Sequence, residues 1–244
     1  MSAARSFPNW VMLECFIFRR DDDKTFPDDE KVTIRASGLT SRKKPFDVAF
    51  CLAEPPGIFP LYVPLPGFPG PDKVLPFGIV ATHRHLVLFR LTSTVDESHE
   101  IIDVQDLFIY DASAISSSQP QFKVLPPCTE LYNYGPRIHH RPPQDTTKRR
   151  VLMVRSMGLL CRDEEEFAVA ELKLYRFSAV EVQAQLYVLR SCASTGPRGI
   201  HGSWHTMRLP IHVHGNPRDM YQLYSWNTDT VIPFDNQLCW IDYF

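Results

Sequence analysis

Two His-x-His pairs, His83/His85 and His212/His214, are the residues of this 244-residue chain whose type and spacing best suit chemistry. On an extended strand, residues two apart project from one face. Each pair would then offer two imidazoles, and imidazole binds zinc at about 2.0–2.1 Å. A tetrahedral site needs further donors, and no third ligand stands near either pair in the sequence. Their neighbours Leu86, Val87, Ile211 and Val213 fit strands that turn an apolar face inward. The pairs therefore read as solvent-facing, and no metal is expected. His139 and His140 sit among arginines and prolines in a loop pattern. His201 and His205 have helical i, i+4 spacing, but Gly199 and Gly202 disfavour a helix there.

Other catalytic patterns are missing from the sequence. Neither GxSxG nor a P-loop, GxGxxG, HExxH or EF-hand pattern occurs. The runs "DDD" (Asp21 to Asp23), "DDE" (Asp28 to Glu30) and "DEEE" (Asp163 to Glu166) are adjacent like charges. Such runs are solvated loop tips rather than carboxylates facing each other across a cleft. The six cysteines (Cys15, Cys51, Cys128, Cys161, Cys192, Cys239) are widely spaced and form no CxxC pair, which fits reduced thiols. No catalytic residue and no cofactor is expected. The formal net charge of -2 gives no global attraction to nucleic acid or anionic membrane. The short basic clusters Ser41–Lys44 and Lys148–Arg150 read as solvated loops. No small-molecule substrate is indicated.

The elements that would carry these residues are strands. Apolar residues recur with a period near two in "WVMLECFIFR", "KVTIRAS", "DVAFCLA", "HLVLFRL", "DLFIYDA", "LKLYRF" and "QLYVLRS". Twenty-one prolines argue against long helices. A short helix is defensible only over 164–170. The run "PPGIFPLYVPLPGFPGP", with seven prolines in 17 residues, reads as a surface loop and cannot span a membrane as a helix. The N-terminus lacks an apolar signal core, so a cytoplasmic or nuclear location is expected ahead of a mitochondrial one.

"HLVLF", "GLLCR" and "QLCWI" each read as a short apolar strand after a turn, and the first two lead into further strands and a Leu-Pro pair. That recurrence is how a propeller of small antiparallel sheets is written. The expected fold is all-β: an incomplete β-propeller-like (kelch-like) arrangement with long proline-rich loops. It occupies one domain over 1–244, with sub-units at 1–75, 76–215 and 216–244.

The segments "LYVPLPGFPGPDKVLPFGIVATHRHLVLFRL", "VQDLFIYDA" and "IPFDNQLCWIDYF" resemble a grass-expanded plant family known as domain of unknown function 1618. The likeness covers nearly the whole chain. In that family "CWIDY" opens the named domain and a long β-rich segment follows, so the resemblance implies an N-terminal half cut early in that domain. It implies no activity or cofactor. Members have been associated with stress responses and hybrid sterility, which implies a toxin or protector acting through protein contacts.

The resulting expectation is a non-enzymatic interaction module that binds a protein partner, or itself, through exposed β edges. Leu238, Trp240, Tyr243 and Phe244 are the expected partner-binding residues, because an uncovered apolar edge invites pairing. The alternatives are a metal-dependent or hydrolytic enzyme using the histidines, and a truncated product without a selected role.

Overall fold

The computed structural model describes residues 12–21, 27, 32, 34–51, 57–66, 77–97, 100–113, 122–129, 150–163, 166–176, 181–191, 202–211 and 217–243. The fold is all-β. A first sheet joins β1 (Met12–Arg19), β2 (Ile34–Leu39), β3 (Pro45–Phe50) and β4 (Ile58–Val63) in the order β1-β4-β3-β2. A second runs β5 (Phe77–His83), β6 (Leu86–Glu97), β7 (Glu100–Asp111) and β8 (Lys123–Val124). A third runs β9 (Met157–Cys161), β10 (Phe167–Arg176), β11 (Val182–Arg190) and β12 (Trp204–Pro210). The second and third are antiparallel meanders in strict chain order. After α1 (Pro217–Ser225), β13 (Thr230–Phe234) and β14 (Gln237–Ile241) form an antiparallel hairpin.

The sheets stack face to face in chain order. Side chains alternate across β6 and β7, so Val87, Phe89, Leu91, Phe108 and Tyr110 meet the first sheet. Leu86, Leu88, Leu107 and Ile109 meet the third. The second sheet is thus buried on both faces, which is why "HLVLFRL" carries apolar residues on both phases of the alternation. The leading strands lie side by side: β1 beside β5, β5 beside β9, and β9 beside β13.

Three sequence expectations change. The proline-rich run contains β4, an inner strand of the first sheet. Pro60 fits there because its carbonyl accepts the Cys51 N–H, so its missing N–H also faces Cys51, just past the end of β3 where the β3–β4 register stops at Phe50↔Leu61. A residue without an N–H forfeits little where the partner strand has already ended. The expected helix over 164–170 is overturned, since Phe167 to Ala170 begin β10. Among the described residues the one α-helix is α1, which the proline count obscured. Finally, "HLVLF" and "QLCWI" are second strands of two-residue hairpins rather than sheet openers; the openers are β5 and β13. Only "GLLCR" falls on an opener, β9.

Candidate interaction surface

The hairpin is built by its turn. Asp235 and Asn236 have φ of 45° and 61°, the left-handed pair that a two-residue turn requires and that Asp and Asn tolerate. Register then sets Val231 opposite Trp240 and Pro233 opposite Leu238, so these four share a face. That face rests on β9, where only glycine fits: a Cβ at Gly158 would stand 2.6 Å from Val231 Cγ1 and 2.9 Å from Leu238 Cδ2. The Trp240 indole Nε1 donates to the Ser156 carbonyl at 2.8 Å, anchoring the hairpin to the 3-10 turn at Val154–Ser156 that leads into β9.

Of the expected partner-binding residues, Leu238 and Trp240 are therefore half-buried against the chain's own third sheet. Tyr243 is 69% exposed, and its N–H donates to Asp229 Oδ2. Phe244 lies outside the described residues. The opposite hairpin face was missed by sequence reasoning. There Ile232 is 42% and Phe234 70% exposed, beside the half-buried Cys239 and Ile241. Their alternation with Val231 and Pro233 was the available signal, but nothing in a period of two says which phase is covered.

A second apolar area lies on the third sheet. Pairing places Gly158, Ala170 and Val188 in line, and the residues two further along, including Leu186 opposite Met207 and Ala184 opposite Leu209, share their face. Hairpin and α1 lie against this sheet at β9 and at β10–β11 respectively. Met207 and Leu209, on the edge strand β12, stay exposed.

The chemistry-bearing side chains are engaged elsewhere. His83 ends β5 and His85 stands in the two-residue turn, so they do not present two rings from one strand face. His83 Nδ1 accepts the Cys161 N–H at 2.8 Å, tying the second sheet to the third. Burial, with Arg84 and His85 nearby, holds its imidazole below the usual pKa and so neutral. His85 Nε2 is 3.9 Å from Asp111 Oδ1. The Cys161 thiol donates to the Asp163 carbonyl, and burial pushes its pKa up, the opposite of what a nucleophile needs. His205 Nε2 lies 3.4 Å from Ser203 Oγ. Among the described residues no group of three His, Cys, Asp or Glu side chains is placed to hold a metal ion. His139, His140, His201, His212, His214 and Cys192 fall outside the described residues.

Arg150 corrects the reading of its basic cluster as solvated. It is 5% exposed, its guanidinium lies 3.6 Å over the Tyr187 ring, and it pairs with the fully buried Glu171 at 3.3 Å while donating to the Tyr187 hydroxyl. Glu171 also accepts the Met153 N–H at 2.7 Å. Burial raises the Glu171 pKa despite Arg150. By contrast Arg42, Lys43 and Lys44 are exposed in the β2–β3 turn. Asp21, from the first acidic run, is held below the usual carboxylate range by its hydrogen bond from Arg19.

Among the described residues no helix is long and apolar enough to cross a membrane. Compared with known proteins, the chain matches no family model, no curated protein and no solved structure.

Proposed function

We propose that this chain is a non-enzymatic protein-interaction module whose stacked sheets are arranged as in a β-propeller of kelch type, with the β13–β14 hairpin as its binding end. The observation that carries this reading is the hairpin's unequal faces: one is packed onto Gly158, while the other leaves Phe234 and Ile232 in solvent. Exposed apolar side chains grouped on one element mark contact sites more often than chance exposure does. The adjacency of β1, β5, β9 and β13 supports the propeller reading, because in that architecture the leading strands surround an axis. The use of His83 and Cys161 as structural bonding groups favours binding over catalysis. On the resemblance to the domain of unknown function 1618 family, the role is that of a toxin, a protector or a stress-response factor in a plant, in cytoplasm or nucleus.

Light-scattering mass measurement after size exclusion tests this, with the chain alone and with proteins it captures. The expected result is a defined complex that Phe234→Ser with Ile232→Ser dissolves. A monomer that captures nothing would overturn the reading. So would stoichiometric metal that is lost when His83, His85, His212 and His214 are replaced in turn, since that outcome restores the metal-dependent enzyme.

A further inference from the structure

We propose that His83 is a proton-operated latch between the second and third sheets, closed while its ring is neutral and released when the ring takes up a proton. The latch acts on the fold itself and operates whether or not the chain binds a partner.

Strand pairing decides which way Cys161 points. It lies opposite Phe167, while the next residue, Arg162, gives its N–H to the Glu166 carbonyl. Phe167 directs its own N–H and C=O to Ser191, just past β11. Bonded and non-bonded pairs alternate along an antiparallel ladder, so the Cys161 N–H points away from β10. It meets β5, the leading strand of the second sheet, through His83 Nδ1 at 2.8 Å.

A ring nitrogen accepts an N–H only when it carries no proton, so this bond requires a neutral imidazole with its hydrogen on Nε2. Protonation puts a hydrogen on Nδ1 as well, and two donors then face each other where a bond was. The new charge also stands near Arg84, which donates to the Arg162 carbonyl at 2.8 Å and forms the second tie at this corner. His83 is half-buried and Cys161 fully buried, so water can replace the lost partner only where β5 and β9 part.

The charged and titratable groups of this corner come from several elements. Arg84 and His85 share the β5–β6 turn with His83, and both disfavour a proton on it. Asp111, ending β7, stands 3.9 Å from His85 Nε2 and takes the Ser113 N–H and hydroxyl. After β9, the Asp163 carbonyl takes the Cys161 thiol, and Asp163 Oδ1 takes the Glu166 N–H. Burial and the neighbouring cations keep the latch closed at neutral pH. Its contribution to stability is complete above the ordinary histidine value of 6.5 and is lost as pH falls through the lower folded value. The same interface carries a tie whose acceptor does not titrate: the Gln105 side chain on β7 bonds both the N–H and the C=O of Leu152. Release of His83 therefore loosens the β5–β9 side while the β7 side stays held.

Nitrogen NMR of the imidazole and amide hydrogen exchange, followed on the whole chain from about pH 8 down to about pH 4, test the latch. At neutral pH the His83 ring should carry its hydrogen on Nε2, with a titration midpoint below 6.5. Across that midpoint the Cys161 amide should lose about tenfold in protection, after correction for the intrinsic pH dependence of exchange, while Leu152 keeps its own. His83→Asn supplies a carbonyl acceptor that does not titrate, and should hold the Cys161 amide equally protected throughout. The urea midpoint of the native chain relative to that variant should be level above 6.5 and fall below it. Glu171 is common to both chains and drops out of the difference. A hydrogen on Nδ1 at neutral pH, constant Cys161 protection through the ring's titration, or the same loss in His83→Asn would overturn the proposal. Equal loss at Cys161 and Leu152 would overturn it too, because that is global unfolding. If His83→Asn does not fold, the ring titration and the Cys161 exchange of the native chain decide alone.

Discussion

The second sheet meets two neighbours, and the two interfaces are made of different material. Against the first sheet, rings meet rings: Phe46 with Phe108 at 4.8 Å, Phe50 with Tyr110 at 4.8 Å, and Phe50 with Phe89 at 6.4 Å. Its directional bonds are at the rim, where Phe122 N donates to Ser37 O and Ser41 N to Asp106 Oδ2. Against the third sheet the packing is mostly aliphatic, and a strap at 150–154 is drawn between the sheets by polar groups. Gln105 on β7 both accepts from and donates to the Leu152 backbone, at 2.9 and 3.0 Å. Glu171 on β10 takes the Met153 N–H. Arg150 N donates to Cys128 O, and its side chain reaches Tyr187 and Glu171. Ring packing supplies burial energy with little demand on register. The strap supplies few bonds but only one satisfying alignment, because unmade buried hydrogen bonds are costly.

Breaking each interface separately should expose that difference. The largest loss is expected for Phe89→Ala, which empties a fully buried site among Phe50, Phe77 and Phe122. It should cost about 4 kcal/mol in urea unfolding while leaving the strap's amides protected from hydrogen exchange. Glu171→Ala should cost about 3 kcal/mol by leaving Arg150 buried without its carboxylate, whereas Arg150→Met combined with Glu171→Leu should recover most of that loss. Additive costs in the double variant would show that the pair is net stabilising rather than mutually compensating.

Glu171 also gives a pH dependence with a definite sign. Burial raises its pKa in the folded chain, so its protonated form is favoured by folding. That contribution is complete below the unfolded value near 4.5 and is lost as pH rises through the folded value. Urea midpoints measured from pH 4 to 8 should fall for the native chain relative to Glu171→Gln as pH increases. A difference that is flat across this range would mean the folded carboxyl is not shifted.

Smaller effects concern single bonds. Gln105→Ala should cost about 2 kcal/mol, since it strands both the N–H and the C=O of the 2%-exposed Leu152. Tyr110→Phe should be neutral within about 0.5 kcal/mol or slightly stabilising, because its buried hydroxyl has no hydrogen-bond partner among the described residues. A clear loss there would place a polar bond inside the aromatic interface and weaken the contrast between the two.

How much was legible varies by feature. Strand identity in β6, β7, β10 and β11 follows from alternation and β-branched or aromatic content, both local properties. The role of Pro60 was hidden because its tolerance depends on where its neighbour β3 ends, at Phe50 opposite Leu61, and no local pattern shows that register. Arg150 looked solvated because "KRR" shows charge and not the carboxylate and ring that surround it. The hairpin turn was readable in Asp235 and Asn236, yet the face that carries Phe234 was not.

The sequence by itself determined that this is a β protein with left-handed turns at defined places, because backbone preference and side-chain period are set residue by residue. Only the tertiary structure decided that Leu238 and Trp240 face inward while Ile232 and Phe234 face outward. Both faces of the hairpin are apolar, so the outcome turned on the one surface beneath it that lacks a Cβ, Gly158. Close approach between two sheets depends on the missing atom of a residue some seventy positions earlier.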